Sequence, residues 1–393
     1  MSGMNVCMLT DKPLPSDRPT GIGIAAFSMA LALSRRRVGV QYICRGNREE
    51  TKKINDYFAL KTIRHFSKDN LRACLSMMKE SAPEIVHVHS SAAAPSLVAA
   101  RTLGRMTIFH SHGDQPLHPI GLTMIRNVEM TLSHRVVAVS ESTRHDLIRN
   151  HGLPGEKVIV AYNGVDIQEF MPFPRQASIL QRFGLEGFEK IILSVGAVQP
   201  RKGQLTMVEC MPEILKASPH AAYVNIGNAY EEAFKGRVLE RARELGVSDS
   251  VRLLAGVSRD DLVALVNAAD LCVHPSTREP FGLAVVEEMA CAKPVVAFDI
   301  GAMPEIIDNS EDGILVAPRG KEELARSILD ILDDPGQMRK IGEAAREKVA
   351  AKFTWERTAS RLEEIYIELH LRRSERQPLL AVPQSRLVGT RMT

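Results

Sequence analysis

The chain has 393 residues, enough for two domains of ordinary size. Hydrophobic residues make up 45% and charged residues 25%, a balance that suits a globular protein with buried cores. Fifty basic residues against 47 acidic ones leave a net charge of only +3, which gives no reason to expect a nucleic-acid partner.

The elements follow in chain order. Asn5–Thr10 reads as a buried strand. A loop with Pro13, Pro15 and Pro19 comes next, then Thr20-Gly-Ile-Gly23 and an amphipathic helix from about Ile24 to Arg37. Val38–Cys44, Glu84–His89, Met106–His110 and Arg135–Val139 are further short apolar strands, mostly separated by helical patterns. Such alternation predicts parallel βαβ units. A second series runs through Lys190–Gly196, Ala221–Gly227, Val251–Leu254, Leu271–His274, Pro294–Ala297 and Gly313–Val316. The expected fold is therefore α/β, with two doubly wound parallel sheets in tandem. Pro172 and Pro174 interrupt the pattern and place the join near Phe170–Arg175. Lys321–Leu332, Gly336–Lys352 and Trp355–Arg372 read as consecutive helices. The polar stretch from Ser374 onward is expected to stay disordered.

The six cysteines, Cys7, Cys44, Cys74, Cys210, Cys272 and Cys291, form no CxxC pair and lie mostly in apolar runs. Buried free thiols in a reducing cytoplasm are the expectation. The first residues enter a strand-like run without a leader pattern, and no apolar run approaches the roughly 20 residues that span a bilayer.

Ligands of open parallel sheets bind beyond the carboxyl ends of the strands, so residues that follow strands carry the most information. Gly21 and Gly23 sit between a strand and a helix, where glycine lets the backbone approach an anion. A plain turn explains them equally well. Gly196-Ala-Val-Gln-Pro-Arg-Lys-Gly203 places Arg201 and Lys202 before a helix, an arrangement that suits a diphosphate or is simply a solvated basic turn.

The stretch PSTREPFGLAVVEEMA, Pro275–Ala290, keeps Glu279 on a loop and starts a helix near Leu283, with Glu287 in its first turns. Two carboxylates at one strand end can accept the hydroxyls of a vicinal diol. They also fit ordinary acid placement near a helix start, worth about 0.3–1 kcal/mol. His87 and His89 alternate on one strand, as do His110 and His112 on another, so each pair shares a face. Hydrogen-bonded histidines near the cleft are favoured over a metal site, and His112 at a strand end is a typical place for chemistry. The chain has no Asp-x-Asp pair, no GxxxxGK[ST] loop and no GxSxG elbow.

The order of motifs, TGIG, VHVHS, HSHG, VAVSEST, YNGVDIQEF, GAVQPRKG, EPFGLAVVEEMA, KPVVAFDIGAMPEII and EDGILVAP, resembles the retaining glycosyltransferases of family 4, over roughly residues 4–370. The resemblance implies the GT-B fold, two Rossmann-like domains facing across a cleft. Residues 1–172 would form the acceptor-binding domain. Residues 173–372 would form the nucleotide-sugar-binding domain plus terminal helices, the last crossing back toward the first domain. Residues 373–393 would be a tail.

The resemblance further implies that Arg201 and Lys202 face the donor diphosphate. Glu279 would bind hydroxyls of the transferred sugar, and Glu287 the ribose. Backbone amides of Phe281, Gly282 and Leu283 would contact phosphate or sugar. Gly21 and Gly23 would let the first domain close on the diphosphate, and His112, or His110 if the alignment slips by two, would lie near the sugar. Transfer would retain the anomeric configuration and need no metal or other cofactor.

Three positions depart from the family pattern: Ala197 where arginine is frequent, TGIG rather than GGxG, and Glu287-Glu288 where Glu-Ala is common. Glu288 is expected to be a surface or cleft-rim acid. The expected partners are a nucleotide-sugar donor and a glycan, lipid-linked or small-molecule acceptor. The donor base, sugar and acceptor stay open. A GT-B epimerase or phosphorylase, or a non-catalytic nucleotide-sugar-binding subunit, are the alternatives. Arg35–Arg37 and Arg372–Arg373 are read either as cations completing helix C-termini or as peripheral contacts with an anionic membrane, at the inner face of a cytoplasmic enzyme's membrane.

Overall fold

The structure, a computed structural model, describes residues 4–14, 20–63, 71–89, 94–113 and 120–376. The first sheet contains β1 (Asn5–Pro13), β2 (Gly39–Arg45), β3 (Glu50–Asn55), β4 (Phe58–Ile63), β5 (Ile85–Val88), β6 (Met106–Ser111), β7 (Arg135–Ala138) and β8 (Val158–Val160). Their spatial order is β3-β4-β2-β1-β5-β6-β7-β8. The second contains β9 (Lys190–Val195), β10 (Ala221–Ile226), β11 (Val251–Leu254), β12 (Leu271–His274), β13 (Val295–Phe298) and β14 (Ile314–Val316), ordered β11-β10-β9-β12-β13-β14.

All pairings within the two sheets are parallel except β3 with β4. Parallel strands covered on both faces need continuous apolar runs, and β5, β7, β12 and β13 are buried at every position. The β3–β4 hairpin corrects the expectation of a purely parallel first sheet. Every side chain of Glu50-Thr-Lys-Lys-Ile54 is exposed, so this edge strand has no apolar signal to read.

Each sheet reverses its strand order beside its first strand, between β1 and β5 and between β9 and β12. Such switch points open a crevice at the strand ends. The TGIG turn follows β1, GAVQPRKG follows β9, and EPFG follows β12.

Two chain passages connect the sheets. The first descends through Asn163–Arg175, and the second returns at Phe353–Trp355. They touch through a bridge of Val165 with Thr354. Gly164 is required there, because a Cβ would run into the Thr354 backbone.

The final helix, Trp355–Arg376, then packs on the first sheet rather than the second. Its stripe of Trp355, Ala359, Leu362, Ile365, Tyr366 and Leu369 joins the core containing Met8, Ala26, Met29, Leu33 and Val40. Burying each large member of that stripe contributes about 1.5–3 kcal/mol. Ion pairs Arg35–Glu356, Arg36–Glu363 and Arg135–Glu368 flank it. Two arginines of the Arg35–Arg37 run are thus held by the returning helix. That helix continues to Arg376, past the expected end at Arg372, and the expected disordered stretch beyond it lies outside the described residues. The cysteines form no disulfide among the described residues, and all but the half-buried Cys74 are buried. No described helix is long and apolar enough to cross a membrane.

Candidate active site

Three loops of the second sheet build one wall of the cleft. The β9 loop turns through Arg201 and Lys202 to Gly203, whose φ of 75° starts the helix Gln204–Ala217 without a side-chain cap. Gln204 secures this loop from below, donating to Ala197 O at 3.0 Å and Asn225 Oδ1 at 3.1 Å. The β12 loop lies directly against it: Thr277 N donates to Arg201 O at 2.9 Å, and Arg201 Nη1 reaches Arg278 O at 3.4 Å. The third loop, after β13, supports Glu279 from behind, where Ala302 N donates to Glu279 O at 3.0 Å.

Lys202 and Glu279 meet at 2.5 Å, with side chains 14% and 10% exposed. Burial alone would raise the Glu279 pKa. Lys202, with Arg201 and His274 behind it, outweighs burial and holds the carboxyl below its ordinary value. Gly282, at φ 109°, is the residue before the helix Leu283–Ala290 and offers no side-chain cap. The amides of that first turn are left for other acceptors. Phe281 is buried, its ring against Tyr162 and Phe353, so its side chain anchors the loop.

Glu287 lies one helical turn further on. Arg259 Nη1 donates to its Oε1 at 3.0 Å. Burial raises the Glu287 pKa, and Arg259 opposes that rise. Glu288 corrects the expectation of a surface acid: it is fully buried and pairs with His274 Nε2 at 2.6 Å. Adjacent helical residues point about 100° apart, so placing Glu287 at the cleft turns Glu288 onto β12. Burial raises the Glu288 pKa, with His274 opposing.

The first sheet supplies the other wall. Thr20 Oγ1 accepts from Gly23 N at 3.1 Å, capping the helix Gly21–Arg35. A Cβ at Gly21 would lie 3.8 Å from Leu283, so the glycine turn faces the start of the second-sheet helix. Gly113, at φ 105°, leaves room for Pro280, which a side chain would strike. Ser140 and Thr143 donate to Pro280 O at 2.7 and 3.3 Å. Glu305 accepts from Glu141 N, Ser142 N and Tyr162 Oη at 2.7–3.0 Å. The cleft is thus bridged beside the EPFG loop.

The four histidines form a two-by-two array. His87 Nε2 lies 3.1 Å from His110 Nδ1, and His89 Nδ1 lies 3.1 Å from His112 Nε2. Within each strand the rings stack, at 4.3 Å for His87 and His89 and 4.7 Å for His110 and His112. Tyr366 of the returning helix closes the array at 2.6 Å from His87 Nδ1. Burial pushes His112 down to about 3 and drives the other three well below the usual histidine range, so all are neutral at pH 7. Nitrogens of His87, His89 and His110 lie within 4.8 Å of one another, a spacing that could admit a metal ion. They are neutral donors with no carboxylate in the group, and a buried divalent charge without a compensating anion is costly.

The geometry brings Gly21, Leu283, Lys202 and Glu279 to one cleft, with Glu287 further along the same helix. Sequence reading overlooked Arg259, His274 and Glu305. For Arg259 the only signal was a basic residue opening a helix after a strand.

Two mainly parallel sheets, a cleft at their switch points and a last helix returned to the first sheet define the GT-B architecture. Solved structures agree. Sucrose-phosphate synthase from Thermosynechococcus elongatus superimposes with a TM-score of 0.80 at 21% identity, over 94% of this chain and 100% of that one. Anabaena Alr3699/HepE in complex with UDP gives 0.76 at 20%, over 94% and 100%. Residues 19–169 match the model of Glycosyltransferase Family 4, and residues 176–348 match that of glycosyl transferases group 1.

A D-inositol 3-phosphate glycosyltransferase of Thermobispora bispora is 31% identical over 264 residues, 66% of this chain and 61% of that protein. An uncharacterized glycosyltransferase of Methanocaldococcus jannaschii, MJ1607, is 31% identical over 237 residues, 60% of each chain. The match thus spans about three fifths of these relatives' lengths. The chain belongs to the family 4, group 1 glycosyltransferases.

Proposed function

We propose that the chain transfers a sugar from a nucleotide-diphosphate sugar to an acceptor hydroxyl, with retention at the anomeric carbon and without a metal ion. The observation that carries this reading is the buried Lys202–Glu279 pair, set between two uncapped helix starts, with Glu287 on the same helix. Arg201, Lys202 and the uncapped amides that open the helix Gln204–Ala217 provide fixed positive charge where a diphosphate leaving group gains negative charge. Preorganised charge of this kind is commonly the largest catalytic contribution.

In this reading Glu279 accepts hydroxyls of the transferred sugar, while Lys202 is shared between Glu279 and the diphosphate. Glu287 takes the ribose diol. The amides of Phe281, Gly282 and Leu283 face phosphate or sugar, and Gly21 and Gly23 close on the diphosphate from the opposite wall. His112 stays neutral and serves as a hydrogen-bonding group near the sugar. The bond from the anomeric carbon to the diphosphate oxygen breaks, and the acceptor oxygen bonds to that carbon from the same face. The acceptor proton passes to the departing phosphate oxygen, so no protein nucleophile is needed. The acceptor lies on the first sheet's side.

The Anabaena neighbour has been captured with UDP-glucose, which makes a uridine donor the first to test. Relatives named for D-inositol 3-phosphate put that compound among the first acceptors to try. Glycans and lipid-linked hydroxyl acceptors at a membrane surface complete the set. A thermal-shift screen with UDP-, GDP- and ADP-sugars tests the donor reading. Stabilisation by at least one donor, unaffected by EDTA, is expected. No shift with any donor, or shifts that vanish with EDTA, would overturn it.

A further inference from the structure

Arg259 opens the helix Arg259–Ala268 and is not explained by the chemistry described above. Its guanidinium holds three groups at once. Nη1 donates to Glu287 Oε1 at 3.0 Å. Nε and Nη2 grip Glu169 Oε1 and Oε2 at 2.7 and 3.1 Å, a two-pronged pair. Its plane also covers the ring of Phe170, 4.4 Å from the centroid. Glu169 and Phe170 belong to the passage joining the two sheets, and Phe170 is fully buried.

A planar fork with five donors can serve two carboxylates in fixed directions, which a lysine cannot. The other oxygen of Glu287, Oε2, accepts from no group among the described residues and is not sealed in the core. Arg259 therefore occupies one carboxylate oxygen and leaves the other presented.

We infer that Arg259 is a positioning residue for nucleotide binding: it fixes Glu287 with one oxygen aimed at the ribose and ties that carboxylate to the passage between the sheets. This rests on the reading of Glu287 as the ribose-binding group. Burial acts to lower the arginine's pKa, but Glu287 and Glu169 outweigh it and keep the cation charged. Burial without Arg259 would favour a protonated Glu287, a poorer acceptor for two hydroxyls.

The test is calorimetric titration with UDP, GDP and ADP, each beside its 2′-deoxy form. The ratio of ribose to deoxyribose affinity isolates the contact and does not depend on which base is preferred. In the wild type the ribose form of at least one diphosphate should bind about ten- to a hundredfold tighter, as expected for a hydrogen bond to a charged group. Glu287→Gln should bring the ratio within about threefold of unity. Arg259→Gln should do the same, with no further change when combined with Glu287→Gln. Arg259→Lys, which keeps the charge and guards against misfolding, should give an intermediate ratio.

An unchanged ratio in Glu287→Gln would overturn the ribose reading itself. A collapsed ratio in Glu287→Gln, with a wild-type ratio in both Arg259 variants, would overturn the inference and leave that reading standing. Equal weakening of both nucleotide forms by Arg259→Gln would mark a merely structural role and also overturn it. Failure of all three diphosphates to bind the wild type would remove both.

Discussion

Replacing Lys202 by alanine removes the cation 2.5 Å from a carboxylate whose side chain is 10% exposed. Breaking a buried pair from one side costs about 3–5 kcal/mol, because the remaining charge is stranded. Glu279 can limit this cost by taking up a proton. A glutamate ordinarily titrates near pH 4.3, so protonating it at pH 7 costs about 3.7 kcal/mol. The expected loss at pH 7 is therefore about 3–4 kcal/mol.

The pH dependence has a definite sign. In the wild type the folded pKa of Glu279 is depressed. Its contribution is then present above the unfolded pKa and lost as pH falls through the folded one. In the variant, burial raises the folded pKa above the unfolded value. The penalty then shrinks by about 1.4 kcal/mol per unit as pH falls from 7 toward the unfolded pKa. Urea denaturation at pH 7 and pH 5.5 measures this. Lys202→Ala combined with Glu279→Gln should recover most of the lost stability, because the stranded carboxylate is gone. A loss under about 1 kcal/mol at pH 7, or no recovery in the double variant, would show that Lys202 and Glu279 are not a buried, mutually dependent pair.

Glu288→Ala strands His274 in the core and should cost about 2–4 kcal/mol in urea denaturation, with donor affinity in the surviving folded protein unchanged. A selective loss of donor affinity would contradict its structural placement. Gly164→Ala forces a methyl into the Thr354 backbone and should lower stability by about 1–3 kcal/mol, read as a reduced melting temperature. The histidine array makes the fold acid-sensitive. His87, His89, His110 and His112 have depressed folded pKa values, so their contribution is complete above the unfolded value near 6.5 and is lost below it. Each should cost about 1.4 kcal/mol by pH 5.5. Histidine resonances that titrate normally in the folded protein would contradict this.

Much of the architecture was legible because buried parallel strands must be nearly continuous in apolar residues. Leu271–His274 and Val251–Leu254 were found with the boundaries they have in the fold. The β3 strand was not, since Glu50-Thr-Lys-Lys carries no apolar face. The stripe from Trp355 to Leu369 announced a packed helix, but amphipathicity does not name the surface it meets. Placing it on the first sheet came from the family resemblance.

Within the site, Glu279, Glu287 and Lys202 stood out as charges at strand ends. Glu288 was misread because two adjacent acids do not reveal the rotational phase of their helix. Cross-strand contacts such as His89 with His112 depend on which strands neighbour each other, and spacing within one strand cannot supply that. Arg259 and Glu169 are 90 residues apart and meet only once the passage between the sheets is laid against the second sheet.

The stereochemistry of transfer tests the proposed reaction most directly. Proton NMR of the anomeric signal can follow the reaction with UDP-, GDP- and ADP-linked α-glucose and the candidate acceptors, in EDTA. An α-linked product, formed by the wild type and lost in Lys202→Ala, is expected. A β-linked product, or release of free sugar with no acceptor linkage under any donor, would contradict the proposed reaction.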